Sequence, residues 1–340
     1  MSYHSRVRHS PPLAVALAVA LAAALALDPA PAGAACPIPP PPVRDLDLAR
    51  LYTDAAGSET DPERLAGHIA ATRPVRSFLE QVVRDADASL TQATPTLGTF
   101  KAKCALEHLS YWAKGGALLG TISTKQGEAE QRWTLAGAAL AYLKVRGQAS
   151  REERETIEPW LTRLATAARA TFDDRGVKRN NHWYWLGLGL AATALATGEE
   201  SLWSAARGVM EDAAGDVRTD GTLPLELERR SRALHYHAFA LMPLMTLAEL
   251  ARLKGENWEA LGNGALGRLA DTTIKGAANP ELFRTLAGAD QEQPPSLGAG
   301  WLPLYLERHP EAAAPADIET PSGHRWLGGN VLLLAKALAP

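Results

Sequence analysis

From residue 62 onward the chain is a succession of helix-forming patterns, and this feature limits the possible folds more than any other. Apolar residues recur three or four positions apart, and short breaks of Gly, Pro and Asp separate the patterns. Hardly any run alternates with the period of two that a half-buried strand shows. One stripe has this composition: Ile157, Trp160, Leu161, Leu164 and Ala168. We therefore predict an all-α chain.

Further helical patterns cover residues 133–145, 183–196, 201–209 and 234–253. We expect them to pair as antiparallel hairpins, and Ser150 with Glu153 matches a capping box before one of them. No fixed repeat and no linker rich in Pro, Gly or charge divides the chain, so residues 62–340 are predicted to form a single domain. Hairpins of this kind can close into a toroid around a cleft, which is one option among several.

Residues 1–35 have the features of a signal peptide. Arg6 and Arg8 precede an apolar run at 13–27, and small residues follow at 32–35. The run is somewhat short for a membrane span, so we expect cleavage and export, with no stable membrane insertion afterwards. A lipoprotein with its anchor on Cys36 is the weaker alternative, because Gly33 stands where Leu is usual.

Residues 36–61 are expected to form an extended Pro-rich segment followed, from residue 44, by a surface loop that could serve as a lid. The chain has two cysteines, Cys36 and Cys104. In an oxidising compartment they could form a disulfide that ties this segment to the domain. A free, buried Cys104 with a lipidated or exposed Cys36 remains the alternative.

Composition excludes some function classes. The formal net charge is only -3, which argues against a broad basic face for nucleic acid. An anionic ligand would therefore have to bind at a local cluster of Arg and His side chains. The 46% of hydrophobic residues suffices for one large core.

Two segments carry the candidate chemistry. Residues 179–185 place Asn181 and His182 among aromatic residues where a helical pattern begins, although a helix start with Asn180 or Asn181 as N-cap would also explain them. Residues 227–237 contain three arginines and place Tyr236 between two histidines. That second composition is hard to explain as core.

Metal and hydrolase chemistry are not favoured by these segments. His235 and His237 are two positions apart and diverge on a helix, and no zinc-binding motif occurs, so no metal site is predicted. Glu226 and Glu228 also diverge, and we expect each to be solvated or paired with Arg rather than to form a hydrolase carboxylate pair.

Taken in order, several segments resemble the alginate lyase family of polysaccharide lyases, the poly(β-D-mannuronate) lyases. The resemblance extends from the N-terminus of the exported chain to residue 329, and it is carried by residues 36–43, 112–119, 132–136, 180–182, 220–226, 232–237 and 327–329. It implies an incomplete α/α toroid with a deep cleft, a periplasmic location, no metal or organic cofactor, and β-elimination at (1→4)-β-D-mannuronate linkages. We expect a monomer whose partner is an acidic polysaccharide.

The resemblance also implies roles for individual residues. Tyr236 matches the catalytic tyrosine, and Asn181 and His182 match the residues that engage the uronate carboxylate. Further matches are Arg229 and His235 as charged neighbours of the tyrosine, Trp133, Trp185 and Gln126 in the sugar cleft, and Tyr52 in the lid loop. The family usually has Arg directly before Leu-Gly-Gly, where this chain has Trp326. Arg325 is the nearest arginine, and we expect it to bind substrate in its place.

A tyrosine that acts as a base needs positive charge beside it. A tyrosine, with a pKa near ~10, is a poor base unless positive charge stabilises its phenolate. Arg229 lies seven residues before Tyr236, so the two share a face if one helix contains both. The alternatives are a lyase acting on polyglucuronate or another acidic polysaccharide, and a polysaccharide-binding or assembly protein without catalysis.

Overall fold

The computed structural model describes residues 35–173, 178–292, 297–315 and 318–339. All but the last residue of the predicted signal peptide lies outside these ranges. Ala35–Pro340 forms one compact unit. Within the described ranges, no helix combines the length and the apolar character needed to cross a membrane.

Helices dominate the described residues. The α-helices are α1 (Pro62–Thr91), α2 (Pro95–Lys114), α3 (Lys125–Val145), α4 (Arg151–Asp173), α5 (Asn181–Thr197), α6 (Glu200–Asp216), α7 (Pro224–Leu227), α8 (Ala233–Leu253), α9 (Leu261–Ala278), α10 (Pro280–Ala287), α11 (Trp301–Arg308) and α12 (Leu334–Ala337). Short 3-10 helices are Arg146–Gln148, Arg230–Arg232, Arg325–Leu327 and Val331–Leu333. Strands β1 (Gly323–His324) and β2 (Gly329–Asn330) pair antiparallel.

The helices form two layers. In the inner layer α1 contacts α3, α3 contacts α5 and α5 contacts α8, whereas α2, α4, α6 and α9 pack on the outside. Of the inner helices, α3, α5 and α8 are buried on almost every side, and α3 is buried from Gly127 to Val145. A helix that is buried all round requires neighbours on both faces. This arrangement confirms the predicted all-α incomplete toroid.

The local patterns behave as expected. The predicted stripe on α4 is fully buried, with relative exposures of 0% at Ile157, Trp160 and Leu164. The capping box is present, because the Glu153 amide donates to Ser150 Oγ and the Ser150 amide donates to Glu153 Oε2. Capping and burial together define where α4 begins and which face it turns inward.

The N-terminal segment is fastened to the outer layer. Cys36 and Cys104 form the expected disulfide, which excludes a free Cys104 and a lipidated Cys36. Trp112 Nε1 donates to the Pro40 carbonyl at 2.8 Å. The prediction of a surface loop from residue 44 is wrong for its first part, because Leu46 and Leu48 are buried in the core. The surface loop therefore begins only after these residues.

A buried lysine holds the segment that follows β1. Lys144 Nζ on α3 lies 2.5 Å from Asp87 Oδ1 and donates to the carbonyls of Gly328 and Asn330 at 2.7 and 2.9 Å. The Asn330 amide donates to the other oxygen of Asp87. Gly328 and Gly329 have φ values of 65° and 96°, a region that favours glycine. These contacts set the position of the adjacent 3-10 helix Arg325–Leu327.

We expect Lys144→Met to lower the free energy of unfolding by about 3 kcal/mol, because Asp87 and two carbonyls lose their buried cation. Urea unfolding followed by circular dichroism measures the change. The matched control is Lys103→Met, since Lys103 forms an exposed pair with Glu107 and should change stability by less than about 1 kcal/mol. Equal effects of the two substitutions would contradict this account.

Candidate active site

A cleft of about 800 Å³ opens at the inner layer and collects residues that are far apart in the sequence. α1, α3, α5 and α8, the loop before α1 and the 3-10 helix Arg325–Leu327 all contribute to its lining. Nine of the predicted site residues line it: Tyr52, Gln126, Trp133, Asn181, His182, Arg229, His235, Tyr236 and Arg325. The two candidate segments, residues 179–185 and 227–237, therefore meet in one cavity.

Tyr236 lies in the first turn of α8 with its hydroxyl oxygen 2.5 Å from that of Tyr52. Arg232 Nη1 donates to the Tyr52 hydroxyl at 2.9 Å. The Arg229 guanidinium carbon lies 3.7 Å from the centre of the Tyr236 ring. Two cations and a second phenol thus surround the candidate catalytic tyrosine.

Arg229 reaches Tyr236 by a route that the sequence did not indicate. The expected continuous helix does not exist, because α7 ends at Leu227, the 3-10 helix Arg230–Arg232 follows, and α8 begins at Ala233. Arg230 has a φ of 51°, which marks the break. The predicted proximity of Arg229 is therefore observed, but the reason given for it was wrong: a turn folds the arginine over the ring.

The environment of Tyr236 disfavours its phenolate when the cleft is empty. Burial raises the pKa of Tyr236 above its ordinary value, the adjacent Tyr52 adds to the rise, and Arg229 and Arg232 oppose it. Burial dominates because moving the phenolate charge out of water costs more free energy than its attraction to Arg229 and Arg232 contributes. The tyrosine is therefore protonated at neutral pH.

His182 begins the other half of the site. It follows Asn181 at the start of α5, where Asn180 is the N-cap and accepts a hydrogen bond from the His182 amide. Burial lowers the pKa of His182 to about 3, and Arg132 and Arg229 contribute to the decrease. The imidazole is therefore neutral at physiological pH and can donate one hydrogen bond without carrying charge.

Asn181 is held by a glutamate whose role the sequence analysis missed. Glu226 Oε1 accepts hydrogen bonds from the Asn181 amide at 2.7 Å and from its Nδ2 at 3.1 Å. Glu226 is 1% exposed, so the expectation of a solvated or Arg-paired residue is wrong. Burial raises the pKa of Glu226, and the hydrogen bonds from Asn181 oppose the rise. Glu226 fixes the plane of the Asn181 side-chain amide.

The two histidines beside Tyr236 separate as expected. His237 is fully buried, accepts a hydrogen bond from the Leu223 amide at Nε2 and contacts the Ala233 carbonyl through Nδ1. His235 lines the cleft, and burial lowers its pKa to about 4. In the described residues, no group of three His, Cys, Asp or Glu side chains could hold a metal ion.

Aromatic rings form one wall of the cleft. Trp326 stacks on Trp133 with ring centres 4.3 Å apart, and Phe239 packs edge-on against both. Trp185 was expected in the cleft but lies behind this wall, fully buried and against Phe239. Only the family resemblance had implied that Trp185 lines the cleft, and in the structure Phe239 and Trp326 cover its ring.

The family model described as alginate lyase matches residues 46–283. The chain belongs to the alginate lyase family. A polysaccharide lyase of Stenotrophomonas maltophilia is 40% identical over 296 residues, which cover 86% of this chain and 88% of the relative. An alginate lyase of Pseudomonas aeruginosa PAO1 is 32% identical over 243 residues, with 68% of this chain and 66% of the relative covered.

Solved structures show the same fold in another family member. Alginate lyase A1-III from Sphingomonas species A1 superposes with a TM-score of 0.75 at 24% identity, covering 88% of this chain and 86% of that chain. A variant of that enzyme in complex with a tetrasaccharide superposes with a TM-score of 0.77 at 23% identity, covering 88% and 85%. The incomplete α/α toroid is thus shared at low sequence identity.

Several residues that line the cleft of the present chain had not been predicted from its sequence. They are His68 and Arg76 on α1, Glu130 on α3 and Phe239 on α8. The periodicity of a helix indicates which residues share a face, but it does not indicate that this face borders a cleft. Glu226 had a usable signal, because it ends the segment 220–226 that carries part of the family resemblance.

We expect Glu226→Ala to lower the free energy of unfolding by about 2 kcal/mol, because the Asn181 amide and Nδ2 lose their buried acceptor. Glu226→Gln should cost less, since it retains one acceptor oxygen. Glu228→Ala is the matched control, because Glu228 is exposed two residues away. Urea unfolding of the three variants tests the order. A loss in Glu228→Ala equal to that in Glu226→Ala would contradict the assignment.

Proposed function

We propose that this family member cleaves (1→4)-β-D-mannuronate linkages of alginate by β-elimination and leaves an unsaturated uronate at the new non-reducing end. The observation that carries the proposal is the meeting of Tyr236, Arg229 and the Asn181–His182 pair in one cleft. The names of the relatives in Pseudomonas and Azotobacter, alginate lyase, support the choice of polymer.

The first requirement of the reaction is to reduce charge on the uronate carboxylate. Removing the proton at C5 places negative charge next to a group that is already an anion. Fixed hydrogen-bond donors aimed at that group stabilise the developing charge in a site that excludes water. The neutral His182 ring would supply one such donor. Asn181 Nδ2 donates to both carboxylate oxygens of Glu226 and would have to turn one N–H toward the substrate to supply a second.

The second requirement is a base. The phenolate form of Tyr236 would remove the C5 proton. Because the pKa of Tyr236 is raised, little phenolate is present at neutral pH. Arg229 stands over the ring and stabilises negative charge on it. Because Tyr52 already accepts a hydrogen bond from Arg232, its own proton is available for the Tyr236 oxygen.

The same phenol would then donate its proton to the glycosidic oxygen that leaves C4. One group can act as base and acid because the phenol formed in the first step lies beside the bond that breaks in the second. The reaction consumes no water and no cofactor. The products are one chain with a reducing end and one with a C4–C5 double bond.

The loop before α1 completes the site. Arg229 Nη2 donates to the Gly57 carbonyl at 2.8 Å, and the same loop presents Tyr52. A Cβ at Gly57 would lie 2.8 Å from the guanidinium nitrogens of Arg229, and its φ is 68°. We propose that this loop is a lid that closes over bound polymer, and that Gly57 permits the close contact.

Charge in the cleft favours a polyanion. Arg50, Arg76, Lys125, Arg229 and Arg325 line it, in a protein with a net charge of only -3. Positive charge lining a cleft raises the local concentration of an anionic polymer. With the export signal predicted at the N-terminus, this polymer would be met in the periplasm.

A panel of polymannuronate, polyguluronate, polyglucuronate and hyaluronan tests reaction type and substrate together. We expect ultraviolet absorbance of the unsaturated product to grow fastest with polymannuronate. Binding of polymannuronate without any absorbance change would favour the non-catalytic alternative. New reducing ends without the double bond would indicate hydrolysis and overturn the proposal.

Tyr236→Phe should lower kcat on polymannuronate by about 10³, because it removes the group that transfers the proton in both steps. Initial rates of absorbance increase provide the measurement, and circular dichroism verifies folding. Tyr111→Phe is the matched control, since Tyr111 is exposed on α2 and is not among the cleft-lining residues. Full activity of Tyr236→Phe would remove Tyr236 from the mechanism.

A further inference from the structure

The cleft contains a carboxylate that the proposed chemistry does not use. Of the described residues that line the cleft, Glu130 is the sole Asp or Glu, among five cationic side chains. It lies on α3 in line with Gln126 and Trp133, four residues after one and three before the other. These three residues therefore share the face of α3 that borders the cleft.

Glu130 is not a conventional structural ion pair. It is 3% exposed, and burial, Arg325 and Arg76, rather than a hydrogen bond from a described residue, govern its ionisation. His68 Nε2 lies 4.0 Å from Glu130 Oε2. A buried carboxylate without hydrogen bonds is costly, and such groups are retained mainly where they have a function.

The neighbouring cations have other partners. Arg76 Nη2 donates to the Ile69 carbonyl at 3.0 Å, and Arg325 Nη1 lies 3.8 Å from Glu80 Oε1. Both guanidinium groups are still close enough to affect the ionisation of Glu130. They could bind a second carboxylate of the polymer, but only where the charge of Glu130 does not repel it.

We propose that Glu130 is a specificity-determining residue of the cleft: its neutral form admits a uronate carboxylate beside Arg76 and Arg325, and its ionised form excludes that carboxylate and accepts sugar hydroxyl groups instead. This inference rests on the proposed function, because it assumes that the cleft binds a uronate polymer. Glu130 lies about one helical turn along α3 from Trp133. The Trp133 ring in turn lies 6.0 Å from the His182 ring.

The ionisation of Glu130 falls in an accessible pH range. Burial raises the pKa of Glu130 to about 7, and Arg325 and Arg76 oppose the rise. The titratable and charged groups that face it are His68 and Arg76 from α1 and Arg325 from the 3-10 helix, and burial lowers the pKa of His68 as well. His68 is therefore neutral where Glu130 changes charge.

Binding can be measured without turnover in a Tyr236→Phe background. Calorimetry with mannuronate oligosaccharides should show Kd rising about tenfold between pH 6 and pH 8, because the fraction of neutral Glu130 falls by that factor. Adding Glu130→Gln should make Kd independent of pH and close to the parent value at pH 6. Methyl-esterified oligosaccharides, which lack the carboxylate charge, should bind equally at both pH values.

Glu80→Gln in the same background is the matched control. It removes one negative charge near Arg325, and Glu80 is not among the residues that line the cleft. It should preserve the tenfold change in Kd. The proposal is overturned if Kd of the parent does not change with pH, or if Glu130→Gln retains the change.

Thermal melting gives an independent measurement of the same titration. The folded-state pKa of Glu130 is raised, so its ionisation penalises the folded protein as pH increases from about 4.5 to above 7. Glu130→Gln should therefore raise the melting temperature at pH 8 more than at pH 5. An equal effect at both values would show that Glu130 is already ionised at pH 5.

The two proposals fail separately. Loss of the pH effect on Kd, with unsaturated product still formed by the unmodified enzyme, rejects the role of Glu130 alone. Absence of unsaturated product, with the pH effect on Kd intact, rejects β-elimination and leaves the carboxylate subsite standing.

Discussion

The buried contact between Glu226 and Asn181 joins the two segments on which the candidate site depends. It spans 45 residues of sequence and fixes the start of α5 against α7. A carboxylate can be buried here because the Asn181 amide and side chain satisfy it with hydrogen bonds. The packing of α5 against α8 brings His182 and Tyr236 together, and this contact fixes the Asn181 end of α5 within that arrangement.

The double layer of helices buries polar side chains of the inner helices and thereby sets their ionisation. Inner helices α3, α5 and α8 are buried on nearly every side, and charged side chains inside them, such as Lys144 and Glu249, are held by ion pairs. Burial shifts the ionisation of titratable side chains at the cleft in one direction. It lowers the pKa of His182 and raises that of Tyr236 and Glu130, so that each favours its neutral form.

Positive charge is therefore supplied by arginines, which remain protonated when partly buried. Arg229 and Arg232 lie around the two phenols, while Arg76 and Arg325 lie at the other part of the cleft, beside Glu130. Lys144 holds the segment that carries Arg325 and Trp326. A buried ion pair more than two helical turns along α3 from the cleft face thus supports the cleft wall.

The sequence by itself determined the helical class, the capping of α4 and the identity of nine cleft residues, because periodicity and motif order are local properties of the chain. It also indicated Arg229 as a partner of Tyr236. The reason was wrong, because the continuous helix that the prediction assumed is broken at Arg230. Only the tertiary structure decided that Trp185 lies behind the wall, that Glu226 holds Asn181 and that Glu130 faces the arginines. Burial and charge environment depend on which helices pack together, and no single segment contains that information.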